Sequence, residues 1–127
     1  MPLTVKVEER PGGSYVLLHP DGMIDATTYA VLGAEVEKIL EKKPGLLIFN
    51  LERVNFVSSA GIGVVLGAQK KMKAYGGKAL LVNLKPHIRK VFDIVQALPA
   101  QQIYGSIQEL DRYLTEIQNQ VRDGKSS

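Results

Sequence analysis

The sequence predicts an α/β fold, in which a mixed β-sheet of four to five strands packs against about four α-helices. Near its start, two segments of alternating hydrophobicity flank Pro11-Gly12-Gly13, a pattern that is typical of a β-hairpin. Farther along, apolar stripes at helical spacing alternate with short apolar runs of strand length. A hairpin followed by alternating helices and strands favours a sheet whose later strands are parallel.

The hairpin is expected to consist of strands over residues 4–8 and 14–19, and Pro20-Asp21-Gly22 is expected to end the second strand. Residues 51–57 are interpreted as a connector. Continuous apolar runs predict strands that are covered on both faces. These runs lie at residues 46–49 and 79–84, and residues 103–104 are interpreted as a short last strand.

Apolar residues at helical spacing predict four helices, and each predicted helix begins near a capping residue or a proline. The first helix is expected over residues 27–43, capped by Asp25 or Thr27, and the second runs from Ser58 or Ser59 to Gly76-Gly77. The third helix runs from Pro86 to Leu98-Pro99, and the fourth begins at the capping-box pair Ser106 and Glu109. The last helix is expected to bury Leu110, Tyr113, Leu114 and Ile117.

The composition indicates a single domain over residues 1–120, followed by a polar tail over residues 121–127. Apolar residues make up 45% of the chain, which is enough to build a core. The absence of cysteine excludes disulfides and thiolate metal sites. No apolar run is long enough to cross a bilayer and no secretory leader is visible, so we expect a cytoplasmic protein with no membrane partner.

The net charge of +3 is interpreted as ordinary surface charge. Binding to nucleic acid would require a basic stripe with interleaved aromatic residues, which the lysines around residues 70–73 and 85–90 do not form. We therefore expect no nucleic-acid partner. A further alternative is that these lysines steer an acidic protein partner.

The residue patterns of common active sites are missing, so we predict no catalytic residue, no metal site and no cofactor. His19 and His87 have no companion at metal-ligand spacing and are interpreted as unrelated surface histidines. Gly61-Ile62-Gly63 opens a helix in the manner of a dinucleotide-binding loop, but Leu66 stands where the third glycine would be needed. Asp21 and Asp25 are attributed to turn geometry and helix capping.

The most informative segment is Ser58-Ser59-Ala60-Gly61 at the start of the second helix. A serine hydroxyl there satisfies an open backbone N–H group, and the small residues let another molecule approach closely. The same hydroxyl is accessible to a kinase, and a phosphate would add about −1.5 to −2 charges. The helix N-terminus could accommodate that charge, whereas a docked partner would meet a new dianion. Taken alone, the segment is better interpreted as an ordinary N-cap, because serine is common at that position.

Four motifs together resemble the STAS family, as found in bacterial anti-sigma factor antagonists. They are similar to that family's turn after the second strand, its third strand, its phosphorylation motif Asp-Ser-Ser/Thr-Gly-Leu/Ile, and its Gly-Gly turn into the fourth strand. The matching segments are Gly22-Met23-Ile24-Asp25-Ala26, residues 47–54, residues 57–64 and residues 76–83. The resemblance covers about residues 4–117 and implies a STAS-type sheet and helix arrangement.

The resemblance implies that Ser59 is the phosphorylated residue. Ser58 then occupies the position of the motif's aspartate, and Ala60 that of its second Ser/Thr. The partner-binding surface would be formed by Asp25, Ser58, Ser59, Ala60, Gly61, Ile62 and Gly63.

The resemblance further implies a partner-switching cycle. The unphosphorylated chain would bind an anti-sigma factor that is a serine kinase of the histidine-kinase-like ATPase type, and phosphorylation of Ser59 would release it. A phosphatase of the protein phosphatase 2C type would reset the cycle. The alternative within the fold is a STAS module that is not phosphorylated and belongs to a stressosome or transporter-associated complex. An enzyme with Ser59 as its nucleophile would need a base, for which only His19 and His87 are candidates.

Overall fold

The computed structural model of the chain describes residues 3–10, 15–97 and 107–124. Within these residues five strands and four helices form the mixed α/β fold that the sequence predicts, with one strand, β4, that it does not. The order is β1 (Thr4–Glu9), β2 (Val16–Ile24), α1 (Tyr29–Glu41), β3 (Leu46–Asn50), β4 (Arg53–Val57), α2 (Ser59–Ala74), β5 (Lys78–Val82), α3 (Pro86–Ala97) and α4 (Ile107–Arg122). The expected strand at residues 103–104 and the capping residue Ser106 lie outside the described residues.

The five strands form one mixed sheet in which β2 is central. β1 pairs with β2 antiparallel, as the predicted hairpin requires, and the order continues through β3 to β5 with parallel pairs. β2 is long enough to pair first with β3 and then, from Asp21 to Ile24, with β4. Because Asp21 also pairs with Thr4 of β1, β4 lies on the same side of β2 as β3.

Two expectations for this region were wrong. Residues 51–57 are not only a connector, because Arg53–Val57 forms β4 and buries Val54 and Val57. Pro20-Asp21-Gly22 does not end the second strand, which continues to Ile24. Gly22 has a φ of 129° and the register with β4 shifts between Gly22 and Met23. Gly22 pairs with Val54 and Met23 with Phe56, so the extra residue of this irregularity, Asn55, lies in β4. The turn-like residues stay in the strand because Pro20 and Asp21 pair with β1, and Asp21 and Gly22 pair with β4.

Both ends of α2 lie where the sequence predicts them. Ser58 is the N-cap of α2, and its extended φ and ψ of −94° and 174° are usual for that position. At the other end Gly76 has a φ of 87°, and Gly77 N–H donates to the Met72 carbonyl at 2.8 Å, as glycine allows after a helix. The start of α1 differs from the prediction, because its N-cap position is Thr28 rather than Asp25 or Thr27.

One hydrophobic core joins the helices to one face of the sheet. Its fully buried members include Leu18, Leu47 and Phe49 from the strands. The helices contribute Leu32, Val36, Ile62, Val65, Met72, Ile88, Val91 and Leu114, and the half-buried Tyr113 and Ile117 pack against the same core. The expectation that both later strands are covered on both faces was wrong. β3 alternates between buried and half-buried residues, and Leu80 of the edge strand β5 is 44% exposed.

The packing of α2 against β2 generates a stability prediction. A Cβ atom on Gly61 would lie 2.6 Å from Cγ2 of Ile24 and 2.9 Å from Cγ2 of Val57. Gly61→Ala is therefore expected to destabilise the fold by about 1–3 kcal/mol through overpacking. Gly63 in the same helical turn has nothing within 4 Å of its Cβ position. Gly63→Ala is the control and should be neutral or stabilising by up to about 1 kcal/mol. Urea unfolding measures both, and equal stabilities of the two variants would contradict the packing argument.

Candidate functional site

The candidate site lies where the end of β2 meets the start of α2. Ser58 N–H donates a hydrogen bond to the carbonyl oxygen of Ile24 at 2.8 Å. This bond places the turn that carries Asp25 beside the residues that open α2, so the structure brings the predicted site segments together. The close contact also depends on Gly61, whose Cα lies against the side chains of Ile24 and Val57.

The residues of the serine segment differ in exposure. Ser58 is only 6% exposed, and its Oγ accepts a long hydrogen bond of 3.4 Å from Gly61 N–H. Ser59 and Ala60 are half-buried, and Gly63 is exposed. Ile62 is 2% exposed and serves the core. Another protein can therefore reach Ser59 more readily than Ser58, whereas Gly61 and Ile62 are buried and pack α2 against the core.

The turn after β2 is held rigid around the carboxylate of Asp25. Its Oδ1 accepts hydrogen bonds from Thr27 N–H at 2.9 Å and from the Thr27 hydroxyl at 2.7 Å. Thr28 Oγ1 lies 3.2 Å from the same oxygen, accepts from Asp25 N–H, and donates to the Met23 carbonyl. The hydroxyl of Thr27, more than any other group, lowers the pKa of Asp25 below its ordinary value. Asp25 thus presents a fixed negative charge at the site.

The structure adds two residues that the sequence analysis missed, both on α4. Gln118 is fully buried and bonds both backbone groups of Val57, accepting from its N–H at 2.9 Å and donating to its carbonyl at 2.8 Å. Asp111 Oδ1 accepts from Ser59 N–H at 2.8 Å. A glutamine that follows the apolar stripe of Leu114 by four residues is the one signal that could have indicated a buried polar contact. No local pattern marks Asp111.

Two exposed apolar side chains lie close in sequence to the Asp25 turn. Met23 is 38% exposed and precedes Asp25 by two residues, and Tyr29, the first residue of α1, is 42% exposed. Gly33 faces Val64, and Glu37 pairs with Lys71 at 3.0 Å, so α1 and α2 run side by side in the same direction. Tyr29 therefore lies at the same end of the helix pair as Ser59. Met23 precedes Ile24 in β2, so its side chain points to the sheet face opposite to the one that meets α2. We call Asp25, Tyr29, Ser59, Ala60 and Gly63 the docking surface.

The interpretation of the two histidines as unrelated surface residues was wrong for His87, which is buried, whereas His19 is half-buried. His87 is 6% exposed, and its Nε2 lies 2.7 Å from the carbonyl oxygen of Asn55. His19 lies between Glu8 and Asn50, at 3.0 Å and 3.1 Å, beside a cavity of about 410 Å³. Across residues 3–10, 15–97 and 107–124, no three His, Asp or Glu side chains are grouped to hold a metal ion.

No helix within the described ranges has both the length and the apolar character that a membrane span requires.

Comparison with known proteins gives a consistent result. The family model described as STAS domain matches residues 4–110. An anti-sigma F factor antagonist from Lysinibacillus sphaericus is 36% identical over 66 residues, which are 52% of this chain and 56% of that relative. The match therefore spans little more than half of the relative's length.

Two solved structures are also similar. The anti-sigma factor antagonist SpoIIAA in its unphosphorylated form superposes with a TM-score of 0.61 at 26% identity, covering 87% of this chain and 97% of that one. The Bacillus cell fate determinant SpoIIAA in the phosphorylated form gives a TM-score of 0.61 at 25% identity, covering 87% of this chain and 99% of that one. This agreement confirms the predicted STAS-type fold.

The Asp25 turn predicts a specific response to acid. Thr27→Val removes the hydroxyl donor and should raise the pKa of Asp25 toward its ordinary value of 3.8. The folded-state pKa lies below the unfolded value. Asp25 therefore contributes stability above about pH 4, and this contribution is lost as the pH falls through the folded pKa. NMR titration of the Asp25 carboxyl measures the shift, with Thr4→Val on β1 as the control. An unchanged pKa in Thr27→Val would show that this hydrogen bond does not stabilise the charged form.

Gln118 generates a second prediction. Gln118→Leu keeps the size of the side chain but leaves the N–H and carbonyl groups of Val57 without their α4 partner in a fully buried position. We expect the free energy of unfolding to fall by about 2–4 kcal/mol. Gln120→Leu makes the same change two residues along α4, at a half-buried position, and should alter stability by less than about 0.5 kcal/mol. Equal urea midpoints for the two variants would show that the Gln118 contact is unimportant.

Proposed function

This chain belongs to the STAS domain family, and we propose that within it the chain is an anti-sigma factor antagonist whose binding is switched off by phosphorylation of Ser59. The whole cycle is part of the proposal. The unphosphorylated chain binds an anti-sigma factor that is a serine kinase of the histidine-kinase-like ATPase type, and a phosphatase of the protein phosphatase 2C type restores the bound state. ATP and magnesium belong to the kinase, and the chain acts in the cytoplasm, where ATP is supplied.

The position of Ser59 carries this proposal. Ser59 is half-buried at the first residue of α2, beside the Asp25 turn and next to Ala60. These small residues permit close approach of a partner backbone, and the exposed ring of Tyr29 supplies apolar area at the same end of the helix pair. A residue at the centre of such a contact is where a modification has the greatest effect on affinity.

Charge makes the switch effective. The docking surface already carries the ionised carboxylate of Asp25, and a phosphate on Ser59 would add about −1.5 to −2 charges next to it. A partner that packs closely enough to exclude water would have to bury this dianion without a matching cation. Release therefore needs only the new charge and no unfolding of the antagonist.

A binding role fits this geometry better than catalysis does. A serine nucleophile needs a general base within hydrogen-bond reach of its hydroxyl. His87 is bonded to the Asn55 carbonyl, and His19 is bonded to Glu8 and Asn50 on the sheet. Both candidate bases are thus engaged elsewhere, and we propose that the chain is not an enzyme.

The switch predicts distinct behaviour for three variants in a pull-down from native lysate of the source organism. Unphosphorylated wild type and Ser59→Ala should both capture a kinase-type ATPase, whereas Ser59→Asp should bind at least about tenfold more weakly because of its added charge. Addition of ATP should release the wild type, with phosphate mapped to Ser59, but should not release Ser59→Ala. Ala34→Asp adds the same charge on the exposed part of α1 and is the control, expected to bind normally.

Binding of Ser59→Asp as tight as that of the wild type would contradict the switch. A stable partner that ATP does not release, together with unmodified Ser59, would instead support the alternative of a STAS module in a stressosome or transporter-associated complex.

A further inference from the structure

Two polar side chains of α4 form hydrogen bonds with the backbone at and just before the start of α2. Gln118 bonds both backbone groups of Val57, and Asp111 bonds Ser59 N–H at 2.8 Å. Toward its middle the helix buries Leu114, and it packs mainly against α3. Asp111 thus connects α4 directly to the residue proposed to be phosphorylated.

The N–H groups that open α2 are largely occupied before any phosphate is added. Ser59 N–H donates to Asp111, Gly61 N–H donates to Ser58 Oγ, and Ile62 N–H donates to the Ser58 carbonyl. A helix N-terminus usually attracts an anion through such groups. Here the carboxylate of Asp111 already accepts from the first of them, so a phosphate on Ser59 would meet a negative charge that is bonded to the backbone of the same residue.

The observations point to Asp111 as a positioning residue for Ser59. Resting on the proposed phosphorylation, we infer that Asp111 couples the modification of Ser59 to α4: it anchors the helix to Ser59 N–H in the unphosphorylated chain, and the phosphate drives its carboxylate away and loosens the N-terminal part of α4. The step is electrostatic and requires no ligand or second protein.

We expect α4 rather than α2 to loosen, because the start of α2 is held by more contacts. The start of α2 is held by the hydrogen bond from Ser58 N–H to the Ile24 carbonyl and by the tight packing of Gly61. On α4, Gln118 lies almost two turns beyond Asp111 and keeps its own bonds to Val57. Loosening should therefore be confined to the turn around Asp111 and fade toward Gln118.

Asp111 also supplies an acidic group that the local sequence lacks. Ser58 occupies the position of the aspartate in the motif, and it serves as the N-cap through its own hydroxyl. A carboxylate is nevertheless present beside Ser59, contributed by a helix 52 residues later in the chain. The capping role and the negative charge are thus divided between Ser58 and Asp111.

Hydrogen–deuterium exchange on protein with phosphoserine installed at position 59 during translation tests this coupling without the kinase. In the wild type, phosphoserine should speed exchange of the amides of residues 111–115 by about tenfold, with a smaller change at residues 118–122. In Asp111→Asn the amide oxygen can still accept from Ser59 N–H but carries no charge. Phosphoserine should therefore leave exchange in that variant unchanged.

Glu116→Gln removes one negative charge from an exposed position of the same helix and is the control, expected to respond as the wild type does. Equal exchange of phosphorylated and unphosphorylated wild type would overturn the inference, as would a full response in Asp111→Asn. Should Asp111→Asn fold poorly, Asp111→Ser provides the same comparison. Because the phosphate is installed directly, failure to find a kinase would count against the proposed function and not against this coupling.

Discussion

Ser58 N–H donates to the carbonyl of Ile24 at 2.8 Å, and this bond joins the end of the central strand to the start of α2. The bond can form only because Gly61 has no side chain, since a Cβ there would collide with Ile24 and Val57. The same bond fixes the direction of α2 and leaves the Asp25 turn beside Ser59. The closeness of the two site segments is therefore a consequence of backbone packing, and the small residues that the site needs are also the residues that the packing needs.

The sheet shows why the candidate site lies at this end of the molecule. The helices and one sheet face share a single core of apolar residues. At the end of the sheet, β2 passes from pairing with β3 to pairing with β4, and its register shifts at Gly22 and Met23. β2 ends there, and the turn that follows it holds the carboxylate of Asp25 beside the start of α2. The candidate site therefore combines a carboxylate held by hydrogen bonds with the half-buried Ser59.

The sequence was most informative where structure is decided locally. The N-cap Ser58 and the helix-ending Gly76 could be identified because capping and left-handed backbone depend on a few neighbouring residues. The extension of β2 and the existence of β4 could not, because strand pairing with distant residues overrode the turn preference of Pro20-Asp21-Gly22. The contacts of α4 were out of reach for the same reason. Gln118 meets Val57 across 61 residues and Asp111 meets Ser59 across 52.

The long-range contacts change the interpretation of the serine segment. From the local sequence, the N-terminus of α2 could accommodate a phosphate through its open N–H groups and absorb the new charge. In the folded chain Asp111 already occupies the first of these groups, so the helix offers less compensation for an added dianion. An uncompensated charge acts more strongly on whatever lies nearest, whether a docked partner or α4. If Ser59 is phosphorylated as we propose, the carboxylate of Asp111 strengthens the effect of the phosphate, because it occupies an N–H group that would otherwise help to neutralise the added charge.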